Sequence, residues 1–148
     1  MNGKRNGKGI EYKYNKEKTR DNTIKFEGEY LNGKKHGKGK QYNQYGAIIF
    51  EGEYLNGVRN GKGKDYYYTG ELEFEGEYLK GKRNGKGKEY YYNEKLEFEG
   101  EYLNGERWNG KGKEYNKYGK LLFKGEYLNG VYYLNFEKLF KFINKWKN

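Results

Sequence analysis

The sequence predicts an all-β protein: an elongated single-layer antiparallel sheet of stacked β-hairpin repeats, capped by a C-terminal amphipathic helix. Three observations carry this. The string Phe-Glu-Gly-Glu-Tyr-Leu recurs at a 24-residue spacing, apolar and polar residues alternate with period two inside each unit, and glycine is abundant while proline is absent.

The repeat begins at Phe26, Phe50, Phe74 and Phe98, and returns as Phe-Lys-Gly-Glu-Tyr-Leu at Phe123. The last interval is one residue longer, and the extra residue is Trp108. The chain starts in mid-repeat: Gly3 to Gly9 matches Gly81 to Gly87 without the preceding half. That pattern leads one to expect further repeats before it. The connection from Gly9 to Phe26 carries six more residues than that from Gly39 to Phe50, so a longer loop is expected around Lys16 to Asn22.

Within a unit, Phe26, Gly28 and Tyr30 share one face of a strand, and Glu27 and Glu29 point the other way. On the next strand Lys38, Lys40 and Tyr42 lie on one side, Gly37 and Gly39 on the other. Asn32-Gly33 supplies the hairpin turn, and Tyr45-Gly46 or Thr69-Gly70 the outer turn. A glycine between two aromatics leaves a slot in which a neighbouring ring can lie. One hairpin alone is marginal, and stacking makes the aromatic face continuous. The charges form ladders: Glu29, Glu53, Glu77, Glu101 and Glu126 make one row, and Lys38, Lys62, Lys86 and Lys111 make a basic row on the paired strand, so that the two offset each other.

Residues 1–130 are read as the repeat array and 131–148 as a strand end followed by the helix. Asn135 is suited to cap a helix over Phe136 to Lys147. Phe136, Leu139, Phe140, Ile143 and Trp146 fall on one face, with lysines elsewhere. The expected role is to cover the end of the sheet, the alternative being a membrane-surface or partner-binding helix.

Aromatics make up 20% of the 148 residues and all hydrophobics 33%, so the core must be built from rings. The net charge of +10 favours anionic partners. Cysteine is absent, which removes disulfide frameworks and thiolate metal sites. Met1 is followed by Asn-Gly-Lys-Arg, with no apolar stretch of a secretory signal, and no apolar run is long enough to span a bilayer.

Serine is also absent and aspartate occurs only at Asp21 and Asp65, so nucleophile–base machinery has almost nothing to be made from. The single histidine, His36, occupies a variable slot held by Asn60 and Asn84 in sister repeats. It is expected to be a surface turn residue, since one histidine makes neither a metal site nor a dyad. Glu27 and Glu29 recur in register and read as ladder residues. Gly-Lys-Gly-Lys lacks the serine or threonine and the following helix of a phosphate loop. No enzyme, catalytic residue, cofactor or metal is expected.

The pattern Phe26-Glu-Gly-Glu-Tyr-Leu-Asn-Gly33-x-x-x-Gly37-Lys-Gly39, repeated from Phe50, from Phe74 and, with the Trp108 insertion, from Phe98, resembles the MORN repeat. Tyr30, Tyr54, Tyr78, Tyr102 and Tyr127 stand where that repeat often has Trp. The Tyr-Tyr-Tyr runs at 66–68 and 90–92 are also similar to a MORN variant of bacterial repeat proteins. The resemblance implies an elongated sheet, often ending in a helix. It also implies roles as protein-interaction platforms, dimerisation modules or membrane-junction scaffolds, and some members have been proposed to bind phosphoinositides.

The function expected is therefore a non-catalytic scaffold that binds a protein or peptide partner on its aromatic face, through Phe50, Tyr54, Phe74, Tyr78, Phe98 and Tyr102. The alternative is peripheral binding to anionic phospholipid membranes through Lys38, Lys62, Lys86, Lys111, Lys138, Lys141 and Lys145. Rings recurring at packing positions argue against a nucleic-acid surface. A homodimer is compatible with the pattern. The expected location is the cytoplasm, at the periphery of a membrane or the cytoskeleton.

Overall fold

In the computed structural model, residues 3–13, 23–115 and 118–133 are described. Among them, eleven strands form one antiparallel sheet in strict chain order. They are β1 (Gly7–Tyr12), β2 (Ile24–Leu31), β3 (Lys34–Tyr42), β4 (Ile48–Leu55), β5 (Val58–Tyr66) and β6 (Leu72–Leu79), then β7 (Lys82–Tyr90), β8 (Leu96–Leu103), β9 (Glu106–Tyr115), β10 (Leu121–Leu128) and the short β11 (Val131–Tyr133). Each strand pairs only with its sequence neighbours, as stacked hairpins must. The expected helix over Phe136 to Lys147 and the expected long loop around Lys16 to Asn22 lie outside the described residues.

A single sheet normally has no interior, yet this one has a row of fully buried rings. Phe26, Phe50, Phe74 and Phe98 have no exposed surface, and Tyr30, Tyr54, Tyr78 and Tyr102 retain 4–6%. The register explains it. Gly28 lies opposite Gly39, Gly52 opposite Gly63 and Gly76 opposite Gly87. Each such pair leaves a patch of bare backbone into which the phenylalanine of the same hairpin folds flat. Tyrosines then close edge-on around each ring. Centroids are 5.4–5.5 Å apart along a strand and 5.0–5.3 Å apart between repeats. Edge-to-face contacts of this kind add about 0.5–1.5 kcal/mol each beyond the area they bury. The chain of rings runs unbroken from Tyr30 to Tyr127, so each repeat's core is completed by the next.

A layer of cations covers the rings. Lys35, Arg59, Arg83 and Arg107 lie 4.0–5.1 Å from the centroids of Phe26, Phe50, Phe74 and Phe98. The guanidinium groups are held from above by carboxylates. Arg83 reaches Asp65 at 3.2 Å, Glu73 at 2.7 Å and Glu89 at 2.8 Å. Arg107 reaches Glu89 at 2.5 Å and Glu97 at 2.6 Å. Burial works against the Arg83 charge, but the three carboxylates outweigh it and hold the guanidinium above its ordinary value. Phe, Tyr, Arg and Asp/Glu thus stack in order away from the backbone, and this face is a sealed core.

The hairpin turns are built from paired left-handed residues. Asn32 and Gly33 have φ of 51° and 80°, and Asn56–Gly57, Lys80–Gly81, Asn104–Gly105 and Asn129–Gly130 repeat the arrangement. Two successive positive φ values define the turn that matches strand twist, and they explain the Asn-Gly preference. Each turn is also clamped to the repeat before it. The Gly81 amide donates to the Arg59 carbonyl at 2.8 Å, and the Lys80 amide donates to the Asn60 side chain at 3.3 Å. Asn6, Asn84 and Asn109 accept from Asn32, Asn104 and Asn129 in the same way. His36 stands in this slot for the turn at Asn56, and its Nδ1 is buried with no hydrogen-bond partner. It is therefore not a turn residue, as expected, but a half-buried strand residue in the one clamp that its side chain leaves unmade.

Candidate functional site

The opposite face of the sheet is charged, and its strands alternate in sign. β4 presents Glu51 and Glu53, β5 presents Lys62 and Lys64, and β6 presents Glu75 and Glu77. Opposite charges therefore sit directly across each strand boundary: Lys38 faces Glu53, Lys62 faces Glu77 and Lys86 faces Glu101. The residue between each like-charged pair faces the other side of the sheet, so a channel runs across the strands between two charged walls. It extends from β1 to β8, has a volume of about 1330 Å³, and has the backbone of Gly28, Gly39, Gly52, Gly63, Gly76 and Gly87 as its floor.

The two walls differ in how their charges are used. On the wall nearer the outer turns, Lys40, Lys64 and Lys88 pair with Glu51, Glu75 and Glu99 at 4.0, 3.9 and 3.5 Å. Tyrosine hydroxyls buttress the same wall: Tyr66 donates to Glu51 at 2.7 Å and Tyr90 to Glu75 at 2.8 Å. Burial, reinforced by the hydrogen bond to Glu51, pushes the Tyr66 phenol up to about 12. These contacts are partly exposed, so their worth is mainly positional.

On the wall nearer the hairpin turns, each hairpin contains a bulge at Gly37, Gly61 or Gly85. Gly61 and Gly85 have φ of 97° and 98°, a conformation that leaves room above the backbone. The Glu53 and Glu77 carboxylates occupy that room, where a β-carbon would otherwise sit. They accept hydrogen bonds from the Lys62 and Lys86 amides at 3.2 and 3.0 Å. These acids are turned onto backbone N–H groups rather than onto the lysines opposite. Among the described residues, Lys38, Lys62 and Lys86 make no ion pair within 4.0 Å, in contrast with the paired wall.

The six rings expected to contact a partner are not on this surface. Phe50, Phe74 and Phe98 have no exposed area, and Tyr54, Tyr78 and Tyr102 have 4–5%. They lie on the other face, under the arginine layer, and the expectation that they present a contact surface is corrected. The physical reason is the glycine slot, which draws each ring into its own hairpin. Of the expected anion-binding lysines, Lys38, Lys62 and Lys86 line the channel. Lys111 does not. Trp108 lengthens β9, so Lys111 faces Glu99 on β8, the place that Lys88 takes opposite Glu75 one repeat earlier. The channel ends at Glu99, Gly100 and Glu101. Lys138, Lys141 and Lys145 lie outside the described residues.

Sequence reasoning missed three features. One is the arginine layer, although Arg59, Arg83 and Arg107 recur at a near-constant spacing with Asp65 and Glu89. Another is the asparagine clamp, hidden because its slot was read as variable. The last is a row of exposed leucines beside the unpaired lysines, Leu31, Leu55, Leu79, Leu103 and Leu128, which are 39–51% accessible. Their position after each Tyr, on the parity of the glutamates, was enough to place them outside.

A sequence model of one family, described as the MORN repeat, matches residues 1–17, 26–43, 50–71 and 74–94, more than half of the chain. No curated protein matches the chain. The matched stretches coincide with the hairpins that build the channel and stop before β8, although the strand pattern continues through β11.

Proposed function

Because the chain belongs to the MORN-repeat family, we propose that it is a non-catalytic interaction module that receives a segment of a partner protein in the glycine-floored channel of its charged face. MORN repeats are generally protein- or membrane-interaction modules, and the repeat is a non-catalytic type. The channel carries the reading: a groove of about 1330 Å³ lies open over backbone that no side chain covers. Concave, largely pre-formed sites favour binding because little ordering remains to be done when a ligand arrives. The sealed ring core supplies the rigidity, holding the floor in place from behind.

A selection from a displayed peptide library against the whole chain tests this. Peptides recovered should lose binding when Lys62→Glu and Lys86→Glu are combined, at an unchanged thermal midpoint. Recovery of no peptide, or of peptides indifferent to those substitutions, would sink the reading.

One observation favours a second reading, attachment to an anionic membrane surface. The exposed leucines run parallel to the unpaired lysines on the same face, an arrangement that suits apolar insertion beside phosphate contacts. Vesicle flotation separates the two. If Leu55→Ser with Leu79→Ser abolishes binding to phosphatidylserine vesicles and leaves peptide binding intact, both surfaces work independently.

A further inference from the structure

We propose that the segment received by the channel is an extended, left-handed polyproline-type chain carrying a carboxylate at every third residue. The proposal rests on the channel being the binding site and adds the chemistry of its occupant. Width decides the backbone. The two walls rise from residues two apart on the same strand, such as Lys62 and Lys64, so their Cα atoms are about 6.7 Å apart. An α-helix, about 10–12 Å across with side chains, is too wide to reach the floor. An extended chain is narrower and lies along the groove with its side chains directed at the two walls.

Spacing decides the period. Lys38, Lys62 and Lys86 recur on every second strand, hence at about 9.6 Å for strands about 4.8 Å apart. A polyproline-type chain completes one turn in three residues and about 9.3 Å. Side chains at every third position therefore point the same way and advance in step with the lysines over the three repeats.

Charge decides the side chain. Glu53 and Glu77 also face the channel, but their carboxylates accept from the Lys62 and Lys86 amides. On the far wall Lys64 and Lys88 are committed to Glu75 and Glu99. Among the described residues, the cations of the channel without an ion pair are thus Lys8, Lys38, Lys62 and Lys86, and carboxylates on the incoming chain complete them. A uniformly acidic chain gains less, because every residue out of step approaches the glutamates of the intervening strands.

The test uses the whole chain and two synthetic peptides of identical composition. In one, Glu-Pro-Pro triplets repeat. In the other, the same glutamates are gathered at one end. Binding is read by fluorescence anisotropy at moderate salt. The triplet peptide should bind about tenfold more tightly than its isomer, and Lys62→Gln with Lys86→Gln should remove the difference. Lys88→Gln, on the paired wall, should leave it. Far-UV circular dichroism of each variant confirms the fold. Equal affinity of the two peptides, or a preference that survives loss of both lysines, overturns the proposal. Library peptides that depend on the channel but show no acidic spacing would overturn it while leaving the interaction module standing. If no peptide depends on the channel, both fall.

Discussion

The ring of Phe74 fills the space that a side chain on Gly87 would need: a β-carbon placed there would lie 2.5 Å from two ring atoms. Across the strand boundary, a β-carbon on Gly76 would meet the Lys86 carbonyl at 2.6 Å and the same ring at 2.6 Å. These contacts are too short for any carbon pair, and backbone cannot retreat as a side-chain tip can. Gly87→Ala should therefore destabilise by about 1–3 kcal/mol, and Gly76→Val by more. Urea denaturation measures both. A midpoint within error of the parent for either would show that the ring has somewhere else to go.

Tyr54 and Tyr78 occupy equivalent positions but differ in one contact. The Tyr78 hydroxyl donates to Asp65, while the buried Tyr54 hydroxyl has no hydrogen-bond partner. The residue that corresponds to Asp65 one repeat earlier is Gln41, which faces Phe50 as Asp65 faces Phe74. Gln41→Asp should supply the missing acceptor next to Lys35 and Arg59, and should stabilise by about 1 kcal/mol. The double variant Gln41→Asp with Tyr54→Phe isolates the bond. If the gain persists without the hydroxyl, it comes from the cations alone.

One residue of the hairpin turns and one of the strand positions that clamp them are out of keeping with their sisters. Lys80 holds φ of 50°, where four other turns have asparagine, and asparagine tolerates that conformation better than lysine does. Lys80→Asn should stabilise by a few tenths of a kcal/mol up to about 1 kcal/mol. His36→Asn should do likewise by giving the Asn56 amide the side-chain acceptor that the Asn60 slot gives Lys80. Thermal midpoints of the single and double variants check this. The sites lie in adjacent repeats with separate partners, so their effects should add.

The fold was legible in the sequence because a repeat states its own register. Twenty-four residues with period-two alternation leave little choice but stacked hairpins, and Asn-Gly fixes where each one turns. The face assignment was legible too, since Phe26 and Glu27 have opposite parity. What could not be read was depth. Alternation says that Phe50 and Tyr54 share a face, but whether that face is open depends on what lies above it. The cover comes from Arg59 and Asp65, whose side chains reach across repeats to form a lid. The vacancy of the lysines was hidden for a similar reason. Pairing rules predict Lys62 against Glu77, and only the bulge at Gly85 shows that the carboxylate turns to the Lys86 amide instead.

Alkaline pH should unfold this protein through its tyrosines. Burial pushes the Tyr54 phenol up to about 12, with the Arg59 charge pulling partly against it. Tyr66, Tyr67 and Tyr90 are also raised to about 12, chiefly by burial and then by neighbouring glutamates. In the unfolded chain these groups titrate near 10.0. Between the two values the unfolded state has released protons that the folded state keeps, so the unfolded state binds fewer and stability falls as pH rises. The full stabilisation is present below about pH 10 and is lost through about pH 12. The part of the phenolate absorbance that comes from these buried tyrosines should rise together with loss of the β-sheet circular dichroism signal rather than ahead of it. Two variants separate the contributors. Tyr54→Phe removes a buried hydroxyl with no partner, so it should be neutral or stabilising at pH 7 and should shallow the alkaline limb. Tyr66→Phe also removes a titrating group, but it breaks the bond to Glu51 and should cost about 1 kcal/mol at pH 7. An alkaline limb unchanged in both variants would show that the deprotonation driving unfolding lies elsewhere.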